Sequence, residues 1–130
     1  MDTKSWLKLE DAGILLAAVF FCFRVDARWY VFAAMALAPD LGMIGYLVGP
    51  RLGAVTYNAT HIHAVPLALG LFAITTANPV LQAVALVWIA HIAFDRLMGY
   101  GLKMPSGFND THLGKIGSDK SRSDKLSSAG

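Results

Sequence analysis

Charge is nearly absent from three long stretches of this chain, and that absence limits what it can fold into. Residues 12–23 carry no charged side chain, residues 29–49 carry only Asp40, and residues 52–95 carry only Asp95. Two of these runs reach or exceed the ~20 apolar residues that a helix needs to cross a bilayer. Charged residues make up 15% of the 130 residues, with a mean hydropathy of +0.50. Soluble domains carry about 25% charged residues. The pattern predicts an all-α integral membrane bundle of four transmembrane helices. Its spans are expected at about 6–23, 29–49, 52–76 and 80–100. A structured cytoplasmic cap loop follows at 101–117 and a flexible polar tail at 118–130. One domain, 1–117, holds everything but the tail.

The first span is the shortest in apolar residues. It reaches full length only if Lys8 and Glu10 lie at the interface, with Trp6 as an interfacial anchor. Asn78-Pro79 is a turn and helix-start signal. Pro39 and Pro66 each remove a backbone hydrogen bond and are expected to bend their helices, freeing the carbonyls of Met35 and Ile62. Gly42, Gly45 and Gly49 fall on one face, where a small-residue surface admits a close helix neighbour, either within the bundle or from another membrane subunit. Cys22 is the single cysteine and lies in an apolar run, so it is expected as a buried thiol.

Lysine and arginine sit unevenly between the loops. With four spans, Lys4, Lys8, Arg51, Lys103, Lys115, Lys120, Arg122 and Lys125 share one side, while Arg24 and Arg28 lie on the other. The positive-inside rule then places both termini in the cytoplasm. The net charge of +2 gives no support for nucleic-acid binding. Bilayer lipid is the expected surrounding.

Four ionisable groups inside the apolar runs carry the functional signal. Asp40 lies nine residues before Gly49, His61 nine after Leu52, and His91 nine before Tyr100. At 1.5 Å per residue each is about 13 Å from the cytoplasmic boundary. Asp95 follows His91 by one helical turn and shares its face. Titrating groups at mid-membrane are costly and persist mainly where they act. Neutral imidazoles with carboxylates suit a divalent transition metal, zinc or iron. Asp40, His61 and His91 are the expected ligands, with Asp95 and His112 as proton-moving catalytic groups. Each has a plainer alternative: Asp40 or Asp95 in a structural ion pair with Arg51 or Arg96, Asp95 lying beside both Arg96 and Lys103, and His112 in a loop that floats. His63 points about 200° away from His61, so only one of the two can face the site. Asn58, one turn before His61, is expected to orient it.

The segments APDLGMIGY at 38–46, GPRLG at 49–53, Tyr57-Asn58 with His61, HIAFDR at 91–96, GYGLK at 99–103 and DTHLG at 110–114 resemble a family of small bacterial four-helix integral membrane proteins known as a domain of unknown function. The resemblance spans about residues 10–117. It implies a bacterial cytoplasmic membrane and a helical bundle, and it implies no activity. A looser likeness is to membrane metal hydrolases with Pro-Asp and histidine motifs, whose fuller histidine set this chain lacks. Two functions stay open: a metal-dependent hydrolase or oxidase acting on a lipid-like or small apolar substrate, and a non-catalytic accessory or haem-binding subunit of a larger membrane complex.

Overall fold

The computed structural model describes residues 1–117 and 125–129. It is mostly helical, with one small sheet. In chain order the elements are α1 (Thr3–Arg24), α2 (Trp29–Leu37), a 3-10 helix (Ala38–Leu47), α3 (Pro50–His61), α4 (Ala64–Thr75) and α5 (Pro79–Met98), then β1 (Lys103–Met104), β2 (Gly107–Thr111) and β3 (Gly114–Lys115). Of the tail expected to be flexible, residues 118–124 and 130 lie outside the described residues. Residues 125–128 form an exposed turn of helix.

Two stretches are long and apolar enough to cross a membrane, Trp29–Leu47 and Pro79–Met98. Two of the four expected spans, those at about 29–49 and 80–100, thus coincide with such stretches. The span at 6–23 is one helix of 22 residues, but Lys4, Lys8, Glu10 and Asp11 occupy its first half. The span at 52–76 is not one helix. It breaks at Ile62, whose backbone is extended (φ −98°, ψ 137°), into two helices of 12 residues each. Pro66 explains the position. In a continuous helix its ring would collide with the Ile62 carbonyl four residues back. With the break, Pro66 falls in the first turn of α4, where no backbone hydrogen bond is lost.

The last carbonyls of α3 need other donors, and side chains supply them. His61 Nδ1 lies 3.0 Å from the Tyr57 carbonyl, and Trp88 Nε1 donates to the Thr60 carbonyl at 2.7 Å. Arg96 Nη2 reaches the His61 carbonyl at 3.5 Å.

Pro39 has a different outcome. α2 ends at Leu37 and the chain tightens into ten residues of 3-10 helix. Runs of more than three or four such residues are uncommon and need outside support. α3 provides it. Thr56 Oγ1 donates to the Gly42 carbonyl at 2.5 Å, and Thr60 Oγ1 to the Pro39 carbonyl at 2.7 Å. The approach is close because Gly42 and Gly45 have no side chains. A Cβ on Gly42 would stand 2.6 Å from Thr60 Oγ1 and 2.7 Å from the Thr56 carbonyl oxygen. The neighbour on this glycine face is therefore α3 of the same chain at Gly42 and Gly45, while Gly49 meets nothing within 4 Å.

α5 is the central post. Asn78 caps its start by accepting from the Leu81 amide at 3.1 Å, and Gly99 ends it in the left-handed region at φ 91°. A core of Cys22, Val31, Met35, Ala83 and Val87 joins α1 and α2 to it. Elsewhere small residues fill much of the interior, with Ala18, Ala54, Ala73, Ala85 and Ala93 buried beside the larger Tyr57 and Ile92. The exterior is the greasy part. Phe23, Trp29, Leu37, Leu47 and Leu71 are between 68% and 87% exposed.

The segment after α5 is an antiparallel meander in the order β1-β2-β3, so the class is helical bundle plus sheet rather than all-α. Lys103 pairs with Thr111, and Thr111 with Gly114. Two contacts fix the meander to the bundle. Phe108 meets the Tyr46 ring edge-on at 5.3 Å. The Asn58 amide spans the backbone of Lys103, donating to its carbonyl at 2.8 Å and accepting from its N–H at 2.6 Å.

Candidate metal centre

Three elements meet at one point. The 3-10 helix brings Asp40, the broken end of α3 brings His61, and α5 brings His91 and Asp95. One ligand atom from each lies within 4.8 Å of the other three. His61 Nε2 is 3.3 Å from Asp40 Oδ1, 3.4 Å from Asp95 Oδ2 and 3.3 Å from His91 Nε2. His91 Nε2 is 3.5 Å from the same Asp40 oxygen and 3.5 Å from the same Asp95 oxygen. Four ligands about 2.1 Å from a tetrahedral ion stand about 3.4 Å apart. Five of the six edges of this cluster match that spacing.

The local chemistry also suits a cation. The His61 Nδ1–H donates to the Tyr57 carbonyl, one turn back, so Nε2 carries the lone pair. That lone pair faces two carboxylate oxygens and a second ring nitrogen. Acceptors directed at one point repel each other unless a proton or a metal ion lies among them. Two carboxylates and two neutral imidazoles sum to −2, the complement of a divalent ion.

Support comes from the layer behind. The His61 ring stacks on Tyr57 at 3.8 Å and 10° between planes, and Thr60 Oγ1 lies 2.9 Å from His61 Nδ1. Tyr57, Thr60 and the Tyr57 carbonyl therefore orient His61, as metal-ligating histidines require. The sequence signal for this was the Tyr57–His61 spacing of one helical turn. Asn58, expected in the orienting role, instead holds Lys103. His61 is 3% exposed, His91 10%, Asp95 19% and Asp40 36%, so the cluster opens on the Asp40 side.

The other candidate residues lie apart. His63 turns away from the cluster to Asp11 at 3.5 Å, and Arg96 also approaches Asp11, at 3.9 Å. Arg96 thus pairs with α1 rather than with Asp95, and Asp11 is buried. No ion pair joins Asp40 to Arg51 among the described residues. His112 is outside the four-residue cluster. Its Nδ1 accepts from the Leu102 amide at 2.8 Å. Burial, and then the charge of Arg96, push its imidazole below the ordinary histidine range, so it sits neutral in the cap.

No curated protein and no solved structure matches this chain. A family profile does match, over residues 4–116. The chain belongs to the family described as a domain of unknown function, DUF4260.

Proposed function

We propose that this is an integral membrane protein of four spanning segments that binds one divalent transition metal and hydrolyses a lipid-like substrate with it. The observation that carries the reading is the near-tetrahedral spacing of Asp40, His61, His91 and Asp95. That spacing favours zinc over iron, and hydrolysis over oxidation. A zinc ion there would lower the pKa of a bound water to about 7. Asp40, His61 and His91 would hold the ion, leaving the fourth corner to a water, and Asp95 beside it would serve as that water's proton acceptor. Asp40 is the most open member of the cluster, and its neighbours Leu37, Leu41 and Ile44 are 61% to 70% exposed. A substrate with an apolar body fits this approach. Haem fits poorly, because the Asp40 and Asp95 oxygens lie 3.3 to 3.5 Å from both imidazole nitrogens, where a porphyrin plane would have to pass.

The membrane reading rests on the greasy exterior. Large apolar side chains in water at this density would aggregate a soluble protein. The small-residue interior is the packing expected of helices in lipid. At one end of the bundle the turn at Asp26–Ala27 lies beside Pro79 and Val80. At the other, Lys4 and Lys8 lie beside Met98 and Tyr100. An orientation with both termini in the cytoplasm puts Lys4, Lys8 and Lys115, which line that second end, on the cytoplasmic side. An alkaline-phosphatase reporter is expected to be inactive after Gly130 and active at Asp26. The opposite pattern overturns the orientation.

Elemental analysis of protein purified in detergent without chelator is the direct test of the centre. One zinc per chain is expected, with zinc-dependent release of acid from ester or phosphoester lipids. Asp40→Asn keeps the side chain's size and removes the charge, and should lose the metal while staying folded. A metal-free wild type, or full occupancy in Asp40→Asn, refutes the site. Stoichiometric zinc with no hydrolysis favours the accessory-subunit function.

A further inference from the structure

Lys103 is 3% exposed, the only buried lysine among the described residues. No carboxylate lies within ion-pair distance of it among the described residues, whose ion pairs involve only histidines, Arg96, Asp11, Asp40 and Asp95. Its ammonium lies 3.9 Å from the centre of the Phe108 ring and 5.1 Å from that of Tyr57. Two ring faces offset part of the cost of removing a cation from water, but a ring is a weak substitute for an anion. Burial pushes the ammonium below the ordinary lysine range, and the charge of Asp95, a corner of the metal cluster, partly offsets it.

The placement is rigid. Both backbone hydrogen-bonding groups of Lys103 are taken by Asn58, and its strand pairs with Thr111. Asn58 sits between Tyr57, on which His61 stacks, and His61 itself. One turn of α3 therefore sets the position of the lysine and of a metal ligand together. Tyr57 touches both: His61 stacks on its ring, and the lysine ammonium lies over the same ring.

We propose that Lys103 is a substrate-binding residue that receives the anionic oxygens of a phosphate group, so that the substrate of this site is a phosphate ester. The inference rests on the metal centre proposed above and names its substrate class. A zinc ion balanced by two carboxylates is neutral overall, so by itself it gives an anion little net attraction. The unpaired ammonium supplies the missing positive charge. Phosphate suits it because lysine binds phosphate as a point charge, without the planar geometry that arginine imposes. The phosphate could belong to a lipid headgroup or be free in solution.

The test uses the full chain, zinc-loaded, in detergent. Inorganic phosphate and a short-chain phosphatidic acid are titrated separately by calorimetry. Wild type is expected to bind at least one of the two. Binding of phosphatidic acid alone assigns a lipid headgroup, and equal binding of both assigns free phosphate. Lys103→Met keeps the apolar stem between the rings. It should retain one zinc per chain and a similar melting temperature, while binding weakens at least tenfold. Lys103→Arg should stay within a fewfold of wild type.

Unchanged binding in Lys103→Met overturns the proposal and leaves the lysine as a clasp between Phe108 and Tyr57. Zinc-loaded wild type that binds neither probe also overturns it, with the metal centre intact. A zinc-free wild type removes both readings, and the elemental analysis reports that separately from the titration. If Lys103→Met fails to fold, Lys103→Arg together with the wild-type titration decides: loss of binding in a folded, zinc-loaded Lys103→Arg shows that charge at this position does not suffice, and overturns the proposal.

Discussion

Alanine at position 61 is expected to abolish stoichiometric metal binding, while alanine at position 63 leaves it intact. The two histidines are two residues apart and both are largely buried, so composition and general polarity do not separate them. Geometry does. His61 Nε2 lies within 3.4 Å of an atom from each of the other three members of the cluster. His63 Nε2 is 3.5 Å from Asp11, on the opposite side of the helix break. His61→Ala removes a ligand, the ring stacked on Tyr57 and a hydrogen bond to the Tyr57 carbonyl. Losing one of the three proposed ligands should cost at least 100-fold in metal affinity, the upper end of what even outer partners cost. Lost packing adds about 1–3 kcal/mol of destabilisation. The destabilisation is bounded because Thr60 Oγ1 still donates to the Tyr57 carbonyl at 2.9 Å. Elemental analysis and melting curves of the two variants check this. Equal zinc content in His61→Ala and His63→Ala would sink the site.

The convergence of the four groups was legible because it depends on one constant. α-helical rise is fixed, so His61 on α3 and His91 on α5 reach one depth whatever surrounds them, while Asp40 stands on a 3-10 helix whose rise of about 2 Å per residue the count did not include. Counting from Gly49, Leu52 and Tyr100 needed no knowledge of packing. The elements themselves were less legible, because their form depends on partners far along the chain. Pro66 marked where α3 and α4 would part, but a bend and a full break differ in whether the freed carbonyls find donors. Those donors are Trp88 and Arg96, from α5. Pro39 marked the end of α2, but the ten-residue 3-10 helix after it needs Thr56 and Thr60. Asn58 was assigned by proximity to His61. Its actual partner is 45 residues on, in a strand too short for any periodicity to reveal. The burial of Asp11 goes with Arg96 and His63, which the sequence places 85 and 52 positions away.

Alanine at Gly42 is expected to damage the metal centre without touching a ligand. The added Cβ would meet the Thr56 carbonyl oxygen at 2.7 Å and Thr60 Oγ1 at 2.6 Å. A hydroxyl can rotate away, but a backbone carbonyl inside a helix cannot, so the 3-10 helix and α3 must separate. Separation stretches the bond from Thr56 to the Gly42 carbonyl, one of the outside supports of the 3-10 helix. Overpacking of this kind costs about 1–3 kcal/mol. Asp40 sits two residues earlier on the same 3-10 helix, and it moves with it away from His61. A displacement of that sort should weaken metal binding about 10- to 100-fold, as loss of an orienting partner does. Gly49→Ala is the control. Its backbone is extended at φ 165°, which any residue adopts, and nothing lies within 4 Å of the new methyl group. It should bind metal and melt as the wild type does. Competition with a chelator, read beside the melting temperature, separates the two variants. If Gly42→Ala holds its metal as tightly as Gly49→Ala, then the approach of the 3-10 helix to α3 does not set the position of Asp40, and the centre must be held together by α3 and α5 alone.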